Sequence, residues 1–145
     1  MINGNIEQFL DTGWFSEATL YYHGYTYWCE AQQNDHNVSH FFVYRYPALN
    51  VNNEYCLRIL EEDGTCMDED VFDMIHPDLD LIKKTFLEAE IFEGNRFWDV
   101  ESELAWLDDD GLIFRKDIPE YLEAIKTHDP AKRREITSRY KTLIS

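Results

Sequence analysis

The sequence predicts an α+β fold: a four-stranded antiparallel β-meander in the N-terminal half, with several helices of the C-terminal half packed on one face. Three observations carry this prediction. Residues 14–62 are rich in β-branched and aromatic side chains and are broken by short polar turns. In residues 68–144 the apolar side chains recur at helical spacing instead. No stretch rich in Ser, Gly or Pro separates the two halves, so residues 1–145 form a single domain, long enough to bury a core without disulfides or metals.

The first element is a short helix, with Asn5 as its cap, Ile6, Phe9 and Leu10 as an apolar stripe and Gly13 as its stop. Residues 17–33 read as a β-hairpin turning at His23 and Gly24, where glycine accepts the positive φ of a tight turn. Alternation sets Ala18, Leu20 and Tyr22 against Thr19, Tyr21 and His23, and Tyr25, Tyr27 and Cys29 against Thr26, Trp28 and Glu30. Both faces of the hairpin therefore carry rings. A polar turn at 34–37 leads into a strand at 38–46, VSHFFVYRY, stopped by Pro47, which lacks the N–H of a central ladder. Residues 50–53 turn the chain again, and residues 54–60 form a fourth strand.

Helices are expected next. Val71, Phe72 and Ile75 mark a short one. Pro77 opens a longer one, with Leu79, Ile82, Phe86 and Ile91 on one broad face and Gly94 as its stop. Phe97, Val100, Leu104 and Leu107 mark another, ended by Asp108, Asp109, Asp110 and Gly111. Asp117 and Glu120 have capping-box spacing ahead of Ile118, Tyr121, Leu122 and Ile125. Asp129 and Pro130 begin the last helix, with Ile136, Tyr140, Leu143 and Ile144 on one side.

The formal net charge of −16 is unevenly spread. Residues 61–110 hold 18 of the 29 acids and only 3 of the 13 bases, whereas residues 111–145 hold 8 bases against 5 acids. On helices, Glu88, Glu90, Glu93, Asp99, Glu101, Glu103, Asp108, Asp109 and Asp110 would project outward while Ile91, Phe97, Val100 and Leu104 point into the core. Such a face steers a basic partner and repels phosphates, which argues against nucleic acid as a direct ligand. Lys132, Arg133, Arg134, Arg139 and Lys141 of the last helix are expected to face the acidic helices, each exposed pair contributing roughly 0–1 kcal/mol.

No motif for catalysis, metal or cofactor is present. Cys29, Cys56 and Cys66 form no C-x-x-C pair, and His36 and His40 have i, i+4 spacing in a turn and strand, where it does not converge on a metal. The acidic runs at 61–64 and 68–70 lack the ligand pattern of an EF-hand, no serine lies in a G-x-S-x-G elbow, and the six glycines make no phosphate loop. The start, MINGNIEQFLD, has no basic and then apolar leader, the apolar runs are too short to span a bilayer, and free thiols suit a reducing compartment. A cytoplasmic protein with no membrane partner is expected.

The functional expectation is a non-enzymatic acidic protein that binds a basic partner by charge complementarity and occlusion. The residues expected to carry it are Asp99, Glu101, Glu103, Asp108, Asp109 and Asp110, with Trp98 or Trp106 as aromatic anchor. The profile (small, acidic, aromatic, without a catalytic motif) resembles that of bacterial immunity and inhibitor proteins, which implies a toxin or nuclease as the partner and transfers no residue. Two alternatives stay open: a phage-type mimic of nucleic acid aimed at a host defence nuclease, and an enzyme with a Cys/His or carboxylate centre. The aromatic sheet face would also suit a homodimer.

Overall fold

The structure, a computed structural model, describes residues 1–144; the side chain of Ile144, expected on the apolar side of the last helix, and Ser145 lie outside the described residues. Six strands form the sheet: β1 (Ala18–Tyr22), β2 (Tyr25–Gln33), β3 (Ser39–Val51), β4 (Tyr55–Leu60), β5 (Glu69–His76) and β6 (Ala105–Phe114). The helices are α1 (Ile6–Gln8, continued by a π turn, Phe9–Gly13), α2 (Leu79–Glu88), α3 (Phe97–Val100), α4 (Ile118–Lys126), α5 (Pro130–Ser138) and α6 (Lys141–Ile144).

The expected open, four-stranded antiparallel meander is replaced by a closed, mixed sheet. β1, β2, β3, β4 and β6 follow one another around a five-stranded barrel, and β6 returns to β1. The β4–β6 pair is parallel and the other pairs are antiparallel. β5 adds to β3 outside the ring. Helices do not lie on one face alone, because the barrel has an inside and two helix-covered flanks.

Two segments expected to be helical are strands. Residues 69–76 pair with β3, since Phe72 and Met74 alternate with Asp73 and Ile75 as well as they fit a helix, and the unpaired edge of β3 selects the strand. Phe97 and Val100 do start a helix, but it ends after one turn and passes through a 3-10 turn (Glu101–Glu103) into β6. There Ala105 and Leu107 point inward and pair with Tyr21 and Thr19 of β1. Pro47 does not stop β3 either. Ala48 N donates to Gly24 O on the β2 side, so the N–H that Pro47 lacks faces the opposite edge, in the gap between the β5-paired and β4-paired parts of β3.

Three groups of buried side chains follow from the closure. The largest packs the outward face of β1, β2 and β3 (Leu20, Tyr27, Phe41, Val43) against α2, α3 and the N-terminal turn (Ile82, Phe86, Phe97, Phe9). Rings dominate it: Phe9 stacks on Phe97 at 5.6 Å, and Phe41 meets Phe86 edge-on at 5.2 Å. A second group sets Val51, Leu57, Ile59 and Ile113 against Tyr121, Ala124 and Ile136 of α4 and α5. The third, with Tyr46, Ala48, Cys56, Ala105 and Leu107, fills the barrel. Gly111, at φ +132°, marks a bulge in the β4–β6 pairing that turns Ile113 to the outer group, a backbone state only glycine adopts freely.

The α4–α5 pair is held differently from the sequence expectation. Asp129 caps α5 by accepting from Lys132 N. Asp117 is no such cap: it accepts from Arg139 Nη1 at 3.0 Å, and Arg139 also grips Glu120 at 2.8 Å and Glu135 at 3.1 Å. Lys132 Nζ adds contacts to Glu120 and Glu135. The basic helix thus pairs with acids of its own C-terminal region; none of its ion pairs among the described residues reaches the 61–110 segment.

The hydrogen bonds from Arg139 and then Lys132 pull the Glu120 carboxyl down from 4.5 to about 2. A depressed folded-state pKa contributes stability above pH 4.5 that is lost as pH falls toward 2. In thermal melts, Glu120→Gln should therefore lower Tm at neutral pH, with the difference vanishing by about pH 2. Urea unfolding of Phe97→Ala should show a loss of about 3–5 kcal/mol, the cost of a ring-sized cavity at a fully buried site.

Candidate functional site

Strand length leaves a sheet surface outside the ring. β3 has 13 residues and β2 has 9, whereas β1 has 5 and β4 has 6. Along β3 the odd residues Phe41, Val43, Leu49 and Val51 pack on the outer cores, and the even residues turn the other way. Tyr46 and Ala48 are inside the ring. His40, Phe42 and Tyr44 lie on the same side but beyond it, where β1 and β4 have ended and β5 has joined.

The register fixes a three-by-three array on this face. Its rows run across β2, β3 and β5 as Gln32, His40, Ile75, then Glu30, Phe42, Asp73, then Trp28, Tyr44, Asp70. The central column is a ladder of rings, with His40 5.2 Å from Phe42 and Phe42 5.2 Å from Tyr44. Carboxylates flank it: His40 Nε2 meets Asp73 Oδ1 at 2.8 Å, and Trp28 Nε1 donates to Glu30 Oε2 at 3.1 Å. Ile75 is 63% exposed and Tyr44 39%, and Met67, just before β5, is 68% exposed. The outer edge of β5 pairs with no other strand among the described residues, so its backbone donors and acceptors are open.

The polar side chains next to Tyr46 pair with one another. Arg58 lies 4.0 Å over the Tyr46 ring and 3.7 Å from Asp109, and the Tyr46 hydroxyl donates to Asp109 at 3.0 Å. Burial pushes the Tyr46 hydroxyl up to about 12. It does the same to the thiols of Cys56 and Cys66, both to about 12, and raises that of Cys29 as well. All three are protonated at neutral pH, which is unfavourable for a thiolate nucleophile. The two buried thiols bond only to carbonyl oxygens, Cys29 to Tyr27 O and Cys56 to Asp108 O. Among the described residues no group of three or more His, Cys, Asp or Glu is placed to hold a metal, and no helix is long and apolar enough to cross a membrane.

The residues singled out from the sequence fall in three places and not on one helical face. Trp98, 47% exposed, stands on α3 beside Asp99, whose carboxylate is taken by Arg96 and lies below its ordinary range for that reason. Glu101 binds the N-terminal ammonium at 3.0 Å, and Glu103 lies 3.7 Å from His23. Trp106 is half-buried. A Cβ on Gly13 would come within 2.7 Å of its ring, so the indole is wedged under the N-terminal turn. On β6 Asp109 turns inward to Tyr46, while Asp108 and Asp110 point out and line hollows.

His40, Phe42, Tyr44, Asp73 and Ile75 were not singled out by sequence reasoning. The signal for His40, Phe42 and Tyr44 was present in VSHFFVYRY, whose rings fall on both faces of the strand, but only the partner strands show which face is left uncovered. Ile75→Ser should change the urea unfolding free energy by less than about 0.5 kcal/mol, and Tyr44→Ala by at most about 1 kcal/mol. Asp109→Ala, by contrast, strips partners from Tyr46 and Arg58 and should cost about 1–3 kcal/mol in the same measurement. Comparison of the chain with protein-family models, with curated proteins and with solved structures finds no match, so any function has to be read from its own residues.

Proposed function

We propose that the protein is a non-enzymatic binding module that docks a basic protein partner on the open face of β2, β3 and β5. The carrying observation is the ring ladder of His40, Phe42 and Tyr44, with Phe42 buried at its centre, His40 half-buried and Tyr44 exposed, bordered by Glu30, Asp70 and Asp73. Rings with apolar neighbours supply desolvated contact, and carboxylates on either side select for Lys and Arg. An extended basic segment suits both features, since it could add to the free edge of β5 while its side chains reach the face. A second copy of the chain is disfavoured as occupant, because it would bring the same carboxylates to meet their like.

In this reading the remaining acids, Asp108 and Asp110 among them, raise the rate of encounter rather than form the contact. Blocking a toxin or nuclease would follow from occlusion of its basic site, with no chemistry by this chain. The reading is tested by affinity capture at about 50 and 300 mM salt, with retained proteins identified by mass spectrometry. A basic protein should be held by wild type at low salt, released at high salt, and held about tenfold less by a Tyr44→Ala, Ile75→Lys double variant. Equal retention by that variant, or loss only on replacing Asp108 and Asp110 with Asn, would move the site off this face.

A further inference from the structure

A second site stands apart from the sheet face, in the cleft where the β3–β4 turn and β6 meet α4 and α5. The cleft has a volume of about 320 Å³ and is lined by Glu54, Tyr55, Asp110, Tyr121, Arg133, Arg134 and Thr137, with Pro130 at its end. Its charges are unusual for this chain. Of the seven arginines, Arg45, Arg58, Arg96, Arg115 and Arg139 each hold a carboxylate within 3.7 Å. Arg133 and Arg134 hold none among the described residues, although the chain has more than two acids for every base. Both line the same cleft, and so do Glu54 and Asp110, which likewise lack a basic partner among the described residues.

The cleft therefore presents two guanidinium groups and two carboxylates that share a space without closing on one another. Between them lies a pair of phenols, Tyr55 and Tyr121, with their oxygens 2.7 Å apart. A hydroxyl pair uses one of its two hydrogens. Arg133 Nη1 donates toward the Tyr55 oxygen at 3.5 Å, and the second O–H of the phenol pair is left for another acceptor. Arg133 Nε is also buried without a partner. The Thr137 hydroxyl donates to Arg133 O at 3.1 Å, so the uncommitted groups of the cleft are the guanidinium donors of Arg133 and Arg134, one phenol O–H, and the carboxylates of Asp110 and Glu54.

We propose that this cleft binds a small zwitterion of the amino-acid class, its carboxylate at Arg133 and Arg134 and its ammonium at Asp110 and Glu54. A simple anion would satisfy the arginines but meet two carboxylates, and a simple cation the reverse. Only a ligand charged at both ends meets every group, and the volume lies at the small end of ligand sites. The site does not depend on the protein-binding face.

The test follows the Tyr55 and Tyr121 ring signals by NMR in the full chain labelled at tyrosine. Glycine, γ-aminobutyrate and ε-aminocaproate serve as zwitterions of increasing span, and butyrate, butylamine and inorganic phosphate as single-ended probes, each to roughly 10 mM so that a millimolar site saturates. At least one zwitterion should saturate both rings' shifts about tenfold more tightly than any single-ended probe. Asp110→Asn and Arg134→Ala, both at exposed positions, should each weaken it about tenfold, and Arg115→Ala should leave it unchanged. The proposal is overturned if no zwitterion saturates, if phosphate or butyrate binds as tightly as the best zwitterion, or if the two variants bind like wild type.

Discussion

The length of β3 is the constraint on which the rest of the structure depends. A 13-residue strand buried on one side must find hydrogen-bond partners along both edges, and no single neighbour in this chain is long enough to supply one whole edge. β2 covers one edge from Ser39 to Pro47, while β5 and then β4 share the other. Pro47 sits where those two partners change over, so its missing donor leaves no unpaired group. From that division come both the ring and the flap: the half of β3 paired with β4 is drawn into a closed barrel, and the half paired with β5 extends past it. The same strand face is thus the barrel interior at Tyr46 and Ala48 and an exposed surface at Tyr44.

Charge is distributed by the same geometry. Much of the acidic segment is engaged internally: Glu61 with Arg115, Glu69 with Arg45, Glu88 and Asp99 with Arg96, Glu101 with the N-terminus, Asp109 with Arg58. These are mostly exposed pairs and add little stability each. Their effect is on which charges remain available to another molecule. Asp70, Asp73, Asp108 and Asp110 are exposed, the first two beside the aromatic ladder and the last two over hollows against the N-terminal turn and α5. An acidic composition therefore resolves into local sites of different character, one suited to a basic protein surface and one to a small molecule with both charges.

The local elements were largely legible in the sequence. The hairpin at His23 and Gly24, its alternation, the cap at Asn5, the strand at 54–60 and the helix begun by Asp129 and Pro130 all follow from short-range chemistry, and the structure has each. The helix expected after Pro77 forms, but with Asp78 as its cap and Glu88 as its last residue, well before Gly94. The errors concentrate in residues 69–76 and 104–110. Their apolar spacing fits either period, and an unpaired strand edge several dozen residues away decides the outcome. Reading those segments as helix also made the acids of 99–110 look like one face, whereas in β6 Asp109 turns inward and its two neighbours turn out.

By itself, then, the sequence determined the fold class, the period of most elements, the presence of rings on both sides of the sheet and the excess of acid over base. These depend on residue type and near neighbours. Tertiary structure alone decided that the sheet closes, that β6 completes it parallel to β4, and which even-numbered residues of β3 lie inside the ring and which outside. It alone brought Tyr55, Asp110, Tyr121, Arg133 and Arg134 to one cleft from separate stretches of chain. The physical reason is that strand pairing joins residues far apart in sequence. Whether a given side chain is core, lumen or open surface depends on a partner that local pattern does not name.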